Sequence, residues 1–179
     1  MPNPKIKQIV LGVCGSIAAY KAGDIIRRLQ DNHCDVTVIM TKGASQFITP
    51  LTLSSLSGRT AHSDMFDRDS WRMAHIELAK STDIVLIAPA TANIIGKLAN
   101  GIADDLLTTF AITCRAPIFI APAMNDEMYA NAIVKDNCAR LKKHGYKFIE
   151  PTKGRLACGT VGEGHLAEVD DIIKAILKA

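Results

Sequence analysis

The sequence predicts an α/β fold with a doubly wound, Rossmann-like and mostly parallel sheet that carries helices on both faces. Apolar runs alternate along the chain with segments whose apolar residues recur at helical spacing. Within these runs few polar residues interrupt the apolar ones, which is typical of parallel strands buried on both faces. The 179 residues contain no repeat and no clear internal boundary, so we expect a single domain over residues 1–179.

The strands and helices follow one another in a regular order. The predicted strands are residues 6–13, 35–40, 83–88, 117–121 and 146–149. The predicted helices are residues 20–29, 43–56 with a break near Pro50, 75–80, 94–102, 104–113, 131–144 and 169–177. The predicted loops are residues 58–73, with Trp71 in a surface loop or an interface, the polar residues 122–129, and the glycine-rich residues 154–165.

The predicted strand 83–88 is the segment around which the chain is organised, and we expect it to end at Pro89. The small polar residues Thr91 and Asn93 follow it. Open parallel sheets bind ligands at the carboxyl ends of their strands, and small side chains there let a ligand ring approach the backbone. An ordinary strand–turn–helix connection would produce the same pattern, so this stretch alone does not decide between the two.

The loop after the first strand has the composition of a phosphate-binding loop. Gly12, Gly15, Ser16 and Ala18 precede a predicted helix, and free backbone N–H groups at such a position favour an anion. Ser16 would also serve as a plain helix N-cap. The dinucleotide fingerprint lacks its third glycine, and the second strand has no acid at its end. These features favour a mononucleotide or another phosphate ligand over NAD.

Three predicted strand ends meet at one edge of the sheet. They carry residues 15–16, residues 89–93 and residues 122–128. Because the carboxyl ends of parallel strands lie along the same edge, we expect a nucleotide-sized ligand across these loops.

Three side chains near this edge are candidates for chemistry, and each has a simpler alternative. Asn125 could donate to a substrate carboxylate or cap a helix. His75 could be a general base or an ordinary surface or packed histidine. Cys158 lies among glycines and small residues near Arg155, which could favour the thiolate, but the same segment could be a surface turn with an incidental cysteine.

Composition argues against several classes of protein. The net charge of +3 is small and its cations are scattered, so we expect no nucleic-acid partner. No apolar run is long enough for a membrane span and no signal peptide opens the chain, so we expect a cytoplasmic protein without a membrane partner. Five cysteines without a CxxC pair predict reduced thiols and no metal site.

Four motifs in this order resemble the flavin-dependent cysteine decarboxylases. They are H-I-E-L at residues 75–78, A-P-A-T-A-N at 88–93, P-A-M-N-D-E-M-Y at 122–129 and L-A-C-G at 156–159. The resemblance runs from the Gly15–Ser16 loop to about residue 167. Within the family it is strongest to the branch that decarboxylates phosphopantothenoylcysteine in coenzyme A biosynthesis, and it implies a flavoprotein-type α/β fold.

The resemblance implies a role for each matching residue. FMN is the implied cofactor, and its contacts fall on Gly15, Ser16, Ile17, Thr41, Pro89, Ala90, Thr91, Ala92 and Ala121. His75 matches the catalytic histidine and Cys158 matches the thiol that protonates the intermediate. Asn125 matches the residue that binds the substrate carboxylate. Arg155 and Ala157 fall in the segment that covers the substrate.

The implied reaction is redox-neutral. FMN takes a hydride from the cysteine Cβ of 4′-phosphopantothenoyl-L-cysteine, and the resulting thioaldehyde lets CO2 leave as an enethiolate forms. Return of the hydride, with a proton from Cys158, gives 4′-phosphopantetheine. The family also implies a homotrimer, or a dodecamer built from trimers, and a separate phosphopantothenoylcysteine synthetase that supplies the substrate.

Some positions depart from the family pattern, and three alternative functions stay open. Tyr129 replaces a usual Trp, Ile94 a usual Thr and His165 a frequent Arg. The alternatives are a peptidyl-cysteine decarboxylase, which does not need Cys158, a flavin prenyltransferase, which lacks this pair of motifs, and a non-catalytic flavin-binding regulatory subunit.

Overall fold

The structure is a computed structural model that describes residues 6–65, 74–155, 159 and 161–179. For residues 74, 75 and 155 it describes the backbone alone. Within these ranges no helix is long and apolar enough to cross a membrane. The predictions for Trp71, Ala157 and Cys158 fall outside the described residues.

A five-stranded parallel sheet forms the centre of the fold. Its strands are β1 (Lys7–Val13), β2 (Cys34–Met40), β3 (Ile84–Ala90), β4 (Ile118–Pro122) and β5 (Lys147–Phe148). Their spatial order is β2-β1-β3-β4-β5, and every neighbouring pair is parallel. The strand order reverses between β1 and β3, which is the position where open α/β sheets leave a crevice for a ligand.

Helices cover both faces of the sheet, as the sequence predicts. The described helices are α1 (Ala22–Asp31), α2 (Pro50–Ser57), α3 (Ala74–Ser81), α4 (Ala92–Ala99), α5 (Leu106–Thr113), α6 (Asp126–Ala130), α7 (Ala132–Lys143) and α8 (Val169–Leu177). Helices α1, α2 and α8 share one apolar core cluster. Helices α3, α4, α5 and α7 share the cluster on the opposite face. The doubly wound fold class is therefore confirmed.

The central strand β3 extends further than the sequence predicts. All seven of its residues are buried, and the chain continues through Pro89 by a cis peptide bond after Ala88. Ala90 still pairs with Pro122 of β4, across an irregularity in the register. The expected break at Pro89 is wrong because a proline is tolerated where the ladder is already irregular.

The segment after β3 contains two helices whose bounds differ from the prediction. Helix α4 ends at Ala99, and Gly101 adopts a positive φ of 68°. Ile102 therefore lies beyond the helix and is 45% exposed, although its spacing suggested a helical core position. Asp105 is the N-cap of α5, where its side chain accepts from the Thr108 N–H in a capping box, so the helix begins later than residue 104.

Two of the predicted loops contain regular structure. Residues 126–130 form α6, and the glycine-rich stretch contains an antiparallel hairpin of β6 (Thr152–Arg155) and β7 (Val161–His165). The expected loop is therefore wrong for residues 154–155 and 161–165, which lie in the two strands. In β7 Gly162 and Gly164 are buried, whereas Val161 and Glu163 are exposed. Apolar periodicity cannot reveal a strand whose inward positions are glycines.

Candidate functional site

The carboxyl edge of the sheet holds an open cavity of about 480 Å³. Loops after β1, β2, β3 and β4 all contribute to its wall. The lining residues are Gly15, Ser16, Thr41, Lys42, Gly43, Thr91, Ala92, Asn93, Lys97, Asp105, Ala123, Met124 and Met128. The three loops expected to converge therefore do so, together with the loop after β2.

The loop after β1 is held tightly against the loop after β2. A Cβ added to Gly15 would lie 2.8 Å from the carbonyl carbon of Gly43 and 3.0 Å from its Cα. Ser16 caps the 3₁₀ turn Ile17–Lys21, and its hydroxyl accepts from the Ala18 N–H at 3.3 Å. The N-cap interpretation of Ser16 is therefore confirmed, and Ser16 also lines the cavity.

Thr41 and Thr91 set the two loops on either side of Gly15. The Thr41 N–H donates to the Val13 carbonyl at 2.9 Å, which ties the end of β2 to the end of β1. Thr91 is the N-cap of α4, and its hydroxyl accepts from the Ile94 N–H at 3.4 Å. Both side chains are partly exposed and line the cavity, so each can face a ligand as well as support its loop.

The other four predicted cofactor residues are not among those that line the cavity. Pro89, Ala90 and Ala121 are buried in strands β3 and β4. Ile17 is 57% exposed on the 3₁₀ turn that follows the wall residue Ser16. Of the nine predicted positions, the wall contains Gly15, Ser16, Thr41, Thr91 and Ala92.

The cavity wall also contains an ion-paired lysine, Lys97, which the sequence motifs do not predict. The Lys97 Nζ lies 2.7 Å from an Asp104 carboxylate oxygen and 3.0 Å from one of Asp105. The hydrogen bond to Asp104 raises the pKa of Lys97 above its usual value. A signal was available, since helical side chains lean towards the helix N-terminus and that of α4 adjoins the cavity.

Asp105 links this ion pair to the cap of α5. Burial acts to raise the pKa of Asp105, but hydrogen bonds from the Thr108 N–H and from Lys97 outweigh it and leave the pKa below its usual value. A carboxyl whose pKa is lower in the folded state contributes stability above its unfolded pKa and loses that stability as the pH falls.

We therefore expect the free energy of unfolding to fall less steeply below about pH 4 in Asp105→Asn than in the wild type. Asparagine keeps the N-cap of α5 but has no charge to lose. Denaturant unfolding at several pH values measures this difference. Asp31→Asn, at the exposed end of α1, is the control, and equal pH slopes for Asp105→Asn and wild type would contradict the expectation.

Cys14 lies in the core at the end of β1, directly before the Gly15 loop. It is 1% exposed, and burial raises the pKa of its thiol to about 12. The thiol is therefore protonated near neutral pH and a poor nucleophile. Cys14, Cys34, Cys114 and Cys138 are all free, which agrees with the expectation of reduced cysteines for the described part of the chain.

Asn125 stands at the start of α6, between cavity residues Met124 and Met128. Its side-chain oxygen accepts from the Glu127 N–H at 2.9 Å and the Met128 N–H at 3.4 Å. The N-cap interpretation is therefore confirmed. A cap uses the oxygen of the amide, whereas a carboxylate ligand would use its N–H donors, so the two roles need opposite ends of one side chain.

The other predicted chemical residues are described in part. His75 lies in the first turn of α3 and Arg155 is the last residue of β6, with only their backbones described. Ala157 and Cys158 fall between β6 and β7 in the sequence, outside the described residues.

The three departures from the family pattern have structural settings. Ile94 is 1% exposed and packs in the core beneath α4. The buried Tyr129 donates its hydroxyl to Glu150 at 2.7 Å, and the Lys135 ammonium lies 3.7 Å from the centre of its ring. Burial, and then the bond to Glu150, raises the pKa of Tyr129. The ring of His165 packs against Gly154 within the hairpin.

Comparison with known proteins identifies the family. The model of the Flavoprotein family matches residues 2–179. The chain belongs to the Flavoprotein family. A Streptococcus mutans protein named probable phosphopantothenoylcysteine decarboxylase is 48% identical over 173 residues, which cover 95% of this chain and 97% of that protein.

A second relative is longer. The Coenzyme A biosynthesis bifunctional protein CoaBC of Bacillus subtilis is 47% identical over 169 residues, which cover 94% of this chain and 42% of that protein. The chain therefore spans less than half the length of this bifunctional relative. The resemblance to the flavin-dependent decarboxylases that the four motifs predict is confirmed by these relatives.

Solved structures share the fold over nearly the whole chain. A Cys-to-Ser variant of PPC decarboxylase complexed with pantothenoylaminoethenethiol has a TM-score of 0.88 at 32% identity and covers 97% of this chain and 98% of its own. The FMN binding protein AtHal3 has a TM-score of 0.86 at 32% identity and covers 97% of this chain and 96% of its own.

Proposed function

We propose that this protein is an FMN-dependent phosphopantothenoylcysteine decarboxylase of coenzyme A biosynthesis. It removes CO2 from 4′-phosphopantothenoyl-L-cysteine and yields 4′-phosphopantetheine. The observation that carries this proposal is the cavity at the sheet edge, whose wall is built from the loops that hold the Gly15, A-P-A-T-A-N and P-A-M-N motifs. The similarity to the Streptococcus mutans protein, which extends over almost all of both chains, supports the choice of substrate.

The wall of the cavity fits an FMN molecule. Its volume of about 480 Å³ lies within the usual range of roughly 300–1,000 Å³ for ligand pockets. Gly15 and Ser16 line one side of the cavity, where the bare backbone of glycine suits a phosphate. Ala123, Met124 and Met128 offer apolar surface on the β4 side, which suits a flavin ring. Bound FMN supplies the hydride acceptor and donor that a cysteine carboxylate, which has no electron sink, requires.

The predicted catalytic and substrate-binding residues each have a role in this reaction. Asn125 donates its side-chain N–H to the substrate carboxylate and holds it in place. His75 accepts the proton of the substrate thiol, since an imidazole titrates close to neutral pH. Cys158 gives a proton to the substrate carbon after CO2 has left. Arg155 and Ala157 contact the substrate from the segment that leads to Cys158.

We also propose that the protein assembles into a homo-oligomer. Large apolar side chains are exposed on the segments beside the Gly15 loop, namely Ile17, Tyr20, Phe47 and Leu51. Ile17 and Tyr20 are three residues apart in a 3₁₀ turn and so share one side of it. We assign these exposed apolar side chains to the interface of a homotrimer or of a dodecamer of trimers. Sedimentation of the purified protein measures this, and a monomer would contradict it.

The substrate has to come from a phosphopantothenoylcysteine synthetase, which joins cysteine to phosphopantothenate. A cytoplasmic location follows from this proposal because both the substrate and the cofactor are intracellular metabolites.

The product of the purified protein tests the function. The protein is incubated with FMN and phosphopantothenoylcysteine, and the product is identified by mass spectrometry. We expect saturated 4′-phosphopantetheine. A product two hydrogens lighter would mean that the reductive half fails, as in a peptidyl-cysteine decarboxylase that releases the enethiol. Flavin binding without turnover would contradict the substrate, and the absence of bound flavin would contradict the cofactor as well.

A further inference from the structure

Strand β7 lies directly against the loop that carries Asn125. The Met124 N–H donates to the Gly164 carbonyl at 3.0 Å. A Cβ added to Gly162 would lie 2.6 Å from the Cβ and the Cγ of Asp126. A Cβ added to Gly164 would overlap the Met124 carbonyl oxygen. The two glycines therefore contact the residues on either side of Asn125.

The close approach depends on glycine at both positions. Gly162 and Gly164 are the buried positions of β7, separated by the exposed Glu163. Gly164 also has a φ of +149°, a conformation that other residues rarely adopt. Glycine in a strand commonly marks a place where another backbone comes close. At Gly164 that backbone is the turn from β4 into α6, whereas the close neighbour of Gly162 is the Asp126 side chain.

The opposite end of α6 is held as well. The Tyr129 hydroxyl donates to Glu150, two residues before β6, and Lys142 donates to the same carboxylate at 2.5 Å. Helix α6 has five residues and is too short to be stable by itself. The hairpin and the Tyr129 contacts therefore fix the position of Asn125.

We propose that Gly162 and Gly164 are positioning residues for the substrate site. Their bare backbone seats β7 on Met124 and Asp126, and this seat orients the Asn125 amide towards the substrate carboxylate. The inference rests on the proposed function, in which Asn125 binds that carboxylate. In this arrangement strand β7 sets the geometry of carboxylate recognition. Its two glycines contribute only backbone to the contact with Met124 and Asp126.

One substitution that introduces a clash and a second that relieves it test whether the packing of β7 on Met124 and Asp126 orients Asn125. In Gly162→Ala the new methyl group meets the Asp126 side chain, and we expect the KM for phosphopantothenoylcysteine to rise about tenfold or more, with a small change in kcat and an unchanged affinity for FMN. The three atoms nearest to the new methyl group all belong to the Asp126 side chain, and Asp126→Gly removes them. The double variant Gly162→Ala/Asp126→Gly should therefore return to the KM of Asp126→Gly alone.

Gly154→Ala is the matched control within the same hairpin. Its three nearest neighbours would be atoms of the His165 side chain within the hairpin, the closest at 3.2 Å, and none of them belongs to α6. We expect its KM to stay within about twofold of the wild type, since the ring can shift by a few tenths of an ångström. A rise in KM for Gly162→Ala that the double variant does not reverse would overturn the seat, and so would an unchanged KM.

Hydrogen exchange gives a readout that does not depend on turnover. The Met124 amide is protected by its bond to Gly164, so Gly162→Ala should exchange faster there and the double variant should regain protection. If the wild-type protein does not turn over the substrate, the proposed function fails and the exchange rates decide the seat by themselves. Unchanged exchange in Gly162→Ala would overturn it.

Discussion

Replacing Gly15 by alanine is expected to weaken FMN binding by about ten- to a hundredfold. The new Cβ would lie 2.8 Å from the Gly43 carbonyl carbon and 3.0 Å from the Gly43 Cα and oxygen, all of them backbone atoms. Backbone cannot rotate away as a side chain can, so the loops after β1 and β2 must separate. Overpacking of this kind costs about 1–3 kcal/mol, and each 1.4 kcal/mol is worth about a factor of ten in affinity.

Flavin fluorescence titration measures the FMN dissociation constant of Gly15→Ala, and denaturant unfolding measures its stability. Gly96→Ala is the control. Gly96 lies in the middle of α4, and its added Cβ would lie 3.7 Å from the Asn137 side chain, an ordinary contact distance. Alanine in a helix interior should raise the stability by about 0.5–1 kcal/mol and leave FMN affinity unchanged. Wild-type affinity in Gly15→Ala would show that the Gly15–Gly43 contact has no part in cofactor binding.

The sheet could be predicted from the sequence because its strands are buried on both faces. Runs such as residues 84–88 contain no polar side chain, and a parallel strand between two helical layers needs that composition. The bounds were harder to predict. A proline normally ends a strand, but the pairing of Ala90 with Pro122 continues β3 past Pro89, and this pairing depends on a neighbouring strand that the local sequence does not show.

The hairpin could not be predicted because β7 lacks the inward-facing apolar side chains that normally indicate a strand. Gly162 and Gly164 occupy the inward positions of β7, where an apolar side chain would normally mark a strand. Their reason for being glycine is a contact with residues 124–126, about forty positions earlier in the chain. Local composition indicates flexibility, whereas the tertiary contact requires a close-packed strand.

The candidate site, like the fold, could be predicted from the sequence only in part. Ser16, Thr91 and Asn125 follow β1, β3 and β4, which are neighbours in the sheet, so their position at one edge follows from the topology of a parallel sheet. Lys97 and Asp105 were missed because they lie on α4 and at the cap of α5, beyond the strand ends, and enter the wall through an ion pair between two helices. Such a pair depends on how the helices pack, which spacing alone does not predict.

Asn125→Asp is expected to lower kcat/KM for phosphopantothenoylcysteine by about a thousandfold while the fold and FMN binding are kept. Aspartate caps a helix as well as asparagine does, so the Glu127 and Met128 N–H groups keep their acceptor. The change removes the N–H donor and places a second negative charge beside the substrate carboxylate. Loss of a hydrogen bond to a charged group costs about 1.5–3 kcal/mol, and like-charge contact adds to it.

The matched control is Asn131→Asp, because Asn131 is the N-cap of α7 and its side-chain oxygen accepts from the Ile133 N–H at 3.0 Å. This variant makes the same chemical change at the same kind of cap, on an exposed residue that the proposal leaves outside the substrate site, so kcat/KM should stay near the wild-type value. Steady-state kinetics with product analysis compares the two. Because both variants keep their caps, a loss confined to Asn125→Asp does not come from the loss of a helix cap. Equal activity in both would leave Asn125 as a helix cap and remove it from carboxylate recognition.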